Sequence, residues 1–422
     1  MRFLLVNPWI ADFAAYNFWV RPLGLYQLAK WLDGLGAELT LLDCLSPFPA
    51  PGKFKRKPVP LPIREKLPIK RGFARYGIGL QEFRARLKAA APFDAVFVTS
   101  VMSYWYPGVK WVVEEIRRQA DNVPIILGGI YATLWKEHAQ RSLDVDFVCA
   151  GPLEGNKERI RKFLGLGEIK RPERPWFRLG FWDGAGYGAV RTATGCPFRC
   201  TYCASRLVSG PFMPQKREEV LEEIVFLWKS GARQVAFYDD ALLVDFSKRL
   251  GPLLEELEGL GVDVWFHTPN GLHARFLDDS VARRLVSSGF KSVRLSLETV
   301  DRKRQESTGG KVTSMDLERA IGNLLEAGMK RKSIGVYLLV GLPGQDLDEV
   351  EESVRYVKGL GVRPYLAEFS PIPGTVEWQR LKEKGMVSDA MDPILTNNTI
   401  FFRLFSGYDM ERFRALKRFA AS

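Results

Sequence analysis

Over the first 150 residues, short apolar runs alternate with stretches of helical period. "RFLLVN", "ELTLLDC", "AVFVTSV", "PIILGG" and "DFVCAG" are near-continuous apolar runs of strand length. Between them, "LGLYQLAKWLDGLG" and "GVKWVVEEIRRQA" repeat apolar residues every three to four positions, the spacing of one helix face. Continuous apolar strands joined by amphipathic helices predict a parallel sheet covered on both faces. Five such strands predict an α/β domain of Rossmann-like or flavodoxin-like type over residues 1–164, with ligands taken at the carboxyl ends of the strands. Those ends carry small or polar residues: Asn7 and Pro8, Thr99 and Ser100, Gly128 and Gly129, Gly151 and Pro152.

Residues 165–185, rich in Gly and Pro and without a sustained period, read as a linker. A second βα series fills 186–385. Its strands are "GAVRTATG", "QVAFYDD", "DVWFHTPN", "SVRLSLET", "SIGVYLLVG" and "PYLAEFSPI", with helices such as "EEVLEEIVFLWKSG", "DSVARRLVSSG" and "SMDLERAIGNLLEAG" between them. Six βα repeats are two short of a closed eight-stranded barrel, which predicts an open, partial (β/α)6 TIM-like barrel with its chemistry at the strands' carboxyl ends. Residues 386–422 form a C-terminal extension ending in a basic amphipathic helix, expected to cover the open side of that barrel.

Hydrophobic residues make up 46% of the chain and charged residues 26%, the balance of a soluble globular protein. No run approaches the roughly 20 apolar residues of a membrane span. The opening "MRFLLVNPWIADF" is closed early by Asn7-Pro8 and lacks a basic flank, so no signal peptide is expected and the chain reads as cytoplasmic. The net charge of +12 is local: residues 47–79 hold nine Lys/Arg against one Glu, a balance of +8, together with seven prolines. This is a basic, extended arm and not a basic fold. It reads first as a solvated loop over a neighbouring cleft, then as a site for a phosphate-bearing ligand; a nucleic-acid partner is not expected.

Five cysteines without a secretory context favour metal or redox chemistry over disulfides. Three of them, Cys196, Cys200 and Cys203, fall in "GCPFRCTYCAS", just after the first strand of the second series. Thiolates suit iron–sulfur clusters or zinc. Zinc closes with four ligands, yet His138, His267 and His273 are distant in sequence, and Cys44 and Cys149 belong to the first domain. A [4Fe-4S] cluster on three cysteines leaves one iron open. The spacing C-x3-C-x2-C, with Tyr202 before the last cysteine, resembles the signature of radical S-adenosylmethionine (SAM) enzymes.

The resemblance runs through the second half. It implies that Asp239 and Asp240 of "FYDDALL" accept from the SAM ammonium, although from the residues alone these carboxylates equally suit a helix N-cap. It implies that Ser296 and Glu298 of "RLSLET" reach the ribose and methionine moieties. It also puts the backbone of "YLLVGLPGQD", at Gly341, beside adenine, with Pro371 and Ile372 of "FSPIPGT" packing on that ring. Tyr202 joins them at SAM. The first domain resembles the cobalamin-binding domain that precedes the barrel in one large subgroup, which implies Asn7, Pro8, Thr99, Ser100, Gly128, Gly129, Gly151 and Pro152 as corrin contacts. The chain departs from a D-x-H-x-x-G pattern: no histidine occurs before His138, so cobalt would be held without a histidine below it.

The family resemblance implies three cofactors, a [4Fe-4S] cluster, SAM and cobalamin, and a C-methyltransferase acting on an unactivated carbon through a 5′-deoxyadenosyl radical and methylcobalamin. Cyclisation or rearrangement with the same cofactors is the alternative. Methylthiolation of tRNA would need further cysteines and an RNA-binding appendage, neither of which is visible, and a non-catalytic cobalamin or redox sensor would leave SAM uncleaved. The implied partners are a small-molecule or lipid-like substrate and an external electron donor of flavodoxin or ferredoxin type. His267, Asn270 and His273 lie at the mouth of the third strand, and "VMSYWYPGV" suits either the corrin face or the core.

Overall fold

The computed structural model describes residues 1–46, 52–63, 69 and 71–422. The chain divides into two units, one of residues 1–185 with 207–209 and 389–397, the other of residues 186–206, 210–388 and 398–422.

In the first unit, β1 (Arg2–Asn7), β2 (Glu38–Asp43), β3 (Ala95–Val98), β4 (Ile125–Leu127) and β5 (Phe147–Val148) form a parallel sheet in the order β2-β1-β3-β4-β5. This is the flavodoxin-like order, and its topological switch point lies between β1 and β3. Asn7 sits opposite Asp43, Val6 opposite Val98, Val98 opposite Leu127 and Leu127 opposite Val148. The loops after all five strands therefore emerge along one edge. Helix α1 (Leu23–Gly34) buries Leu25, Leu28, Trp31 and Leu32 against Phe3, Leu5, Phe97 and Ile126; each fully buried side chain of this kind contributes about 1.5–3 kcal/mol. Helix α2 (Tyr106–Gln119) follows β3.

Residues 165–185 are packed onto this unit and are not a free tether. Asp33, 1% exposed near the end of α1, takes Arg171 at 2.5 Å and Arg174 at 2.7 Å. Trp176 stacks on Tyr26 at 4.1 Å, and Leu179 and Phe181 pack on the α1 core. A buried carboxylate needs such partners, and few irregularly spaced anchors supply them, so the segment has no period. Where it is described, the basic arm keeps Lys55, Arg56, Lys57 and Arg71 exposed, as expected of a solvated segment, but it is not a loop throughout. Arg56–Pro58 pairs with Ala74–Tyr76, which pairs with Ile10–Asp12, and Phe54, Ala74 and Tyr76 are buried with Ile10 and Leu45. Residues 47–51, 64–68 and 70 of that arm lie outside the described residues.

In the second unit, β6 (Tyr187–Val190), β7 (Gln234–Phe237), β8 (Trp265–His267), β9 (Phe290–Glu298), β10 (Ile334–Val340) and β11 (Arg363–Glu368) pair in parallel in sequence order. This is the open barrel of six strands, to which the short Leu272–His273 adds a seventh paired in parallel with β9. Its helices include α3 (Arg217–Lys229), α4 (Leu250–Gly259), α5 (Asp279–Ser287), α6 (Ser314–Glu326), α7 (Leu347–Gly359) and α8 (Val376–Glu383). Asp278, Thr313, Asp346 and Thr375 cap α5 to α8 through their side chains, each bond stabilising its helix by about 1 kcal/mol.

Strand alternation separates two faces. A Cβ on Gly188 would strike Leu227 of α3, so Gly188 and its register partner Val235 face the helices. A Cβ on Gly335 would meet Tyr365 and Arg294 instead. The inward set therefore includes Tyr187, Ala189, Ala236, His267, Arg294, Ser296, Tyr337 and Tyr365.

The C-terminal extension is divided between the units. Asp389–Asn397 belongs to the first, where Asp392 accepts from Tyr106 Oη at 2.9 Å and Asn397 donates to Asp12 at 3.0 Å. The final helix, α9 (Met410–Ala421), belongs to the second and lies along β11, with Lys417 on Glu368 at 2.5 Å. No helix among the described residues is long and apolar enough to cross a membrane.

Candidate active site

The three clustered cysteines lie in the loop after β6, and several unrelated segments fix that loop. Gly195 has φ +72°, and a Cβ there would sit 2.3 Å from the Pro211 carbonyl oxygen, so only glycine fits. Thr201 donates its amide to the Thr308 carbonyl at 3.2 Å and its hydroxyl to Glu377 of α8 at 2.7 Å. Gly309 leaves room for the Cys200 backbone, since a Cβ there would lie 3.1 Å from Cys200 Cα. Between the first two cysteines, Phe198 stacks on His273 at 4.5 Å.

Cys196 is buried, Cys200 half-buried and Cys203 exposed. Burial lifts the Cys196 thiol to about 11, and Cys203, Cys200 and Asp240 add to it. Burial also raises the Cys203 thiol, with Cys200 reinforcing the shift and Lys311 opposing it. The three sulfur atoms therefore act on one another. Among the described residues no three His, Cys, Asp or Glu side chains converge on a single ion. Cluster thiolates need not converge so, because each binds a separate iron.

Beside the thiols lies a buried ion pair. β9 ends in an irregularity: Ser296 pairs with Tyr337 and Glu298 with Leu338, leaving Leu297 as an extra residue. Bulges of this kind re-aim a side chain. Glu298 also has φ +74°, a strain of order 1–3 kcal/mol for a non-glycine residue. The result turns its carboxylate toward Lys311 at 2.5 Å and the Tyr202 hydroxyl at 3.0 Å. The Lys311 ammonium stands 5.6 Å from the Tyr202 ring centre. Burial opposes the Lys311 charge, but Glu298, Cys200 and Cys203 outweigh it and hold the ammonium above its usual range. Burial, Glu298 and Cys200 push the Tyr202 hydroxyl well up. Lys311, Thr308 and Glu377 are the residues that sequence reasoning missed; only the fold brings them to the cysteines.

The two aspartates of "FYDD" differ. Asp239, 3% exposed, accepts from the Thr192 amide at 3.0 Å, the Thr192 hydroxyl at 2.6 Å and the Ala193 amide at 2.8 Å, with Arg249 at 3.5 Å. Burial raises it, and these bonds and Arg249 oppose the shift. Its carboxylate is thus engaged in tying the end of β7 to the start of the cysteine loop, in place of the free acceptor expected for an ammonium. Asp240 is half-buried and accepts from Ser205 at 2.8 Å, just past the last cysteine.

Ser296 is buried against Gly271, where a Cβ would approach its hydroxyl to 2.0 Å. Gly341, φ +85°, donates its amide to Gln345 at 2.9 Å. Pro371 is buried and Ile372 half-buried. The Ile372 carbonyl accepts from Thr375, the cap of α8, at 2.7 Å, and α8 carries Glu377 back to Thr201.

In the first unit, Asn7, Pro8 and Ser100 line a depression at the switch point with Trp9, Met102 and Trp105. Asn7 donates to Asp43 at 2.7 Å. Ser100 donates to the Gly128 carbonyl at 2.8 Å, and a Cβ on Gly129, φ +92°, would lie 2.3 Å from the Ser100 carbonyl oxygen. Thr99, half-buried, anchors its amide on Val6. Gly151 and Pro152 stand at the end of β5, outside the depression, where Asn156 donates to the Pro152 carbonyl at 2.9 Å. None of the lining residues is histidine; His138 is held by Tyr131 at 2.7 Å.

Residues 190–357, from the end of β6 into α7, match the Radical SAM superfamily. The chain carries a radical SAM domain over this stretch. That family uses an iron–sulfur cluster with SAM, and the donor set here fits: three soft thiols in mutual range beside a buried cation. An uncharacterised methyltransferase of Pyrococcus horikoshii is 26% identical over 68% of this chain and 69% of its own length. A probable threonylcarbamoyladenosine tRNA methylthiotransferase of the same organism is 23% identical over 46% of this chain and 48% of its own length. The radical SAM methyltransferase TsrM of Kitasatospora setae shares the fold, with a TM-score of 0.68, 16% identity and coverage of 91% of this chain and 76% of that one. TsrM has been solved with a SAM analogue and tryptophan, and with cobalamin and a [4Fe-4S] cluster.

Proposed function

We propose that this chain is a cobalamin-dependent radical SAM enzyme that transfers a methyl group to an unactivated carbon of a small or lipid-like substrate. The observation that carries the reading is the set of three thiols beside the buried Lys311–Glu298 pair, in a chain whose other unit has a ligand-type edge at its switch point. When bound, the cluster with SAM supplies a carbon radical that removes hydrogen, and the corrin supplies the methyl group. Cys196, Cys200 and Cys203 hold the cluster, while Asp240, Glu298 and Tyr202 orient SAM. The backbone at Gly341 and the turn at Pro371 and Ile372 take the adenine. Asn7, Pro8, Thr99, Ser100 and the glycines after β4 and β5 would take the corrin, and no histidine is among them. Lys311 keeps a positive charge near Cys203 and opposes the rise of that thiol. An external flavodoxin or ferredoxin delivers the electron.

Anaerobic reconstitution of the full chain tests the reading. The expected outcome is bound iron and sulfide, a corrin absorption spectrum after cobalamin addition, and formation of both 5′-deoxyadenosine and S-adenosylhomocysteine. Deoxyadenosine without S-adenosylhomocysteine would remove methyl transfer; absence of cobalamin uptake would remove the corrin. Cys200→Ala should abolish deoxyadenosine formation and leave cobalamin uptake intact.

A further inference from the structure

The interior of the second unit's barrel holds positive charge that its own carboxylates do not balance. Arg191 directly follows β6 and Arg294 lies within β9, both at inward positions and both half-buried, hence reachable by a solute. Three other cations of this unit are paired with carboxylates: Lys311 has Glu298 at 2.5 Å, Arg249 has Asp239 at 3.5 Å and Arg304 has Glu349 at 2.8 Å. Among the described residues, Arg191 and Arg294 have none. The Arg294 guanidinium lies 4.5 Å from the Tyr365 ring centre and donates to the Tyr365 hydroxyl at 3.3 Å. The Arg191 guanidinium makes no hydrogen bond or ion pair among the described residues.

Phenols connect the two cations. Val190 pairs with Phe237, so the next residues, Arg191 and Tyr238, stand side by side at the ends of β6 and β7; Tyr337 pairs with Ser296, two residues beyond Arg294 on the same face of β9. Tyr337 is itself fixed, donating to the Pro269 carbonyl at 2.9 Å. A partly desolvated guanidinium without a counter-charge is unfavourable, and its planar fork matches a carboxylate or phosphate better than any other small group.

We propose that the barrel interior binds the substrate through an anionic group, a carboxylate or a phosphate, held by Arg191 and Arg294, with the body of the molecule against Tyr238 and Tyr337. The proposal rests on the reading of this barrel as a methyltransferase site, since it names the substrate class of that site. SAM carries a carboxylate too, so the test separates the two anions.

Calorimetric titration of the full chain, with its cluster reconstituted, uses phenylacetate, phenyl phosphate and the neutral phenylacetamide as probes, with SAM titrated separately. One of the two anions should bind at least tenfold more tightly than the amide, and the tighter one identifies the anion. Arg191→Gln and Arg294→Gln should each weaken that binding about tenfold or more, leaving iron content and SAM affinity unchanged. Arg191→Lys and Arg294→Lys should recover part of it, which a purely structural role would not produce. Three results overturn the proposal: equal binding of amide and anions, no saturable binding of either anion below about 10 mM, or loss of SAM affinity in the glutamine variants with probe binding kept. Should the wild-type chain refuse cobalamin or cleave no SAM while the arginine-dependent preference persists, the methyltransferase reading falls and the anion pocket stands.

Discussion

At the scale of single residues, Asp239 and Glu298 show how one functional group, the carboxylate, takes opposite duties within one barrel. Asp239 turns inward on the protein and holds the start of the cysteine loop through Thr192 and Ala193; Glu298 is turned by a bulge and a positive φ toward Lys311 and Tyr202. Asp239→Asn should therefore destabilise the barrel by about 3 kcal/mol, because Arg249 is left buried without its counter-charge, and bound iron should fall with it; urea unfolding and iron analysis measure both. Glu298→Gln leaves Lys311 without its counter-charge in the same way and should also cost a few kcal/mol, while weakening SAM binding at least tenfold, read by urea unfolding and calorimetry. The cysteines were legible in the sequence because all three ligands fall in one short segment. Lys311 and Glu377 were not, since their approach to the loop exists only once distant strands have paired. The "DD" dipeptide was legible as a motif, but which carboxylate faces the protein is decided by strand pleat and by the amides that happen to be nearby.

At the scale of elements, the strands were readable because fully buried parallel strands are continuous apolar runs. The packing of residues 165–185 was not, because its anchors are charges that meet Asp33 and one aromatic stack, which leave no period. Close approach matters as much as pattern. Helix α2 passes the loop after β1 so tightly that a Cβ on Gly108 would lie 1.9 Å from the Trp9 carbonyl oxygen. Gly108→Ala should therefore force α2 away from Trp9, cost about 1–3 kcal/mol in the first unit, and reduce cobalamin uptake while iron content stays unchanged. Parallel cobalamin and iron titrations of the variant decide this.

At the scale of the whole molecule, acid should act on the second unit through two buried histidines. Burial, reinforced by Arg294, holds His267 down to about 4; burial, with Lys311 and Arg275, holds His273 down to about 3. An unfolded chain binds protons at these sites below about 6.5, whereas the folded one does not. Stability should be flat above pH 7 and fall as the pH drops from 6.5 toward 4, by about 2 kcal/mol for each histidine at pH 5. Asp239, raised by burial, works in the opposite sense at the acid end. His273→Gln should flatten that slope, measured as the urea midpoint against pH.

The path of the chain has a consequence for how such a protein can be inherited or dissected. Asp389–Asn397 supplies Asp392 to Tyr106 and Asn397 to Asp12, although some two hundred residues of barrel separate it from the rest of its own unit. A gene cut at residue 185 would not yield two modules. The upstream fragment would lack the far segment that satisfies its buried Asp12, and should be recovered as an aggregate unless residues 389–397 are grafted back. Recombination that swaps barrels between relatives must carry this short return segment with the first unit, so the exchangeable pieces are interleaved along the coding sequence.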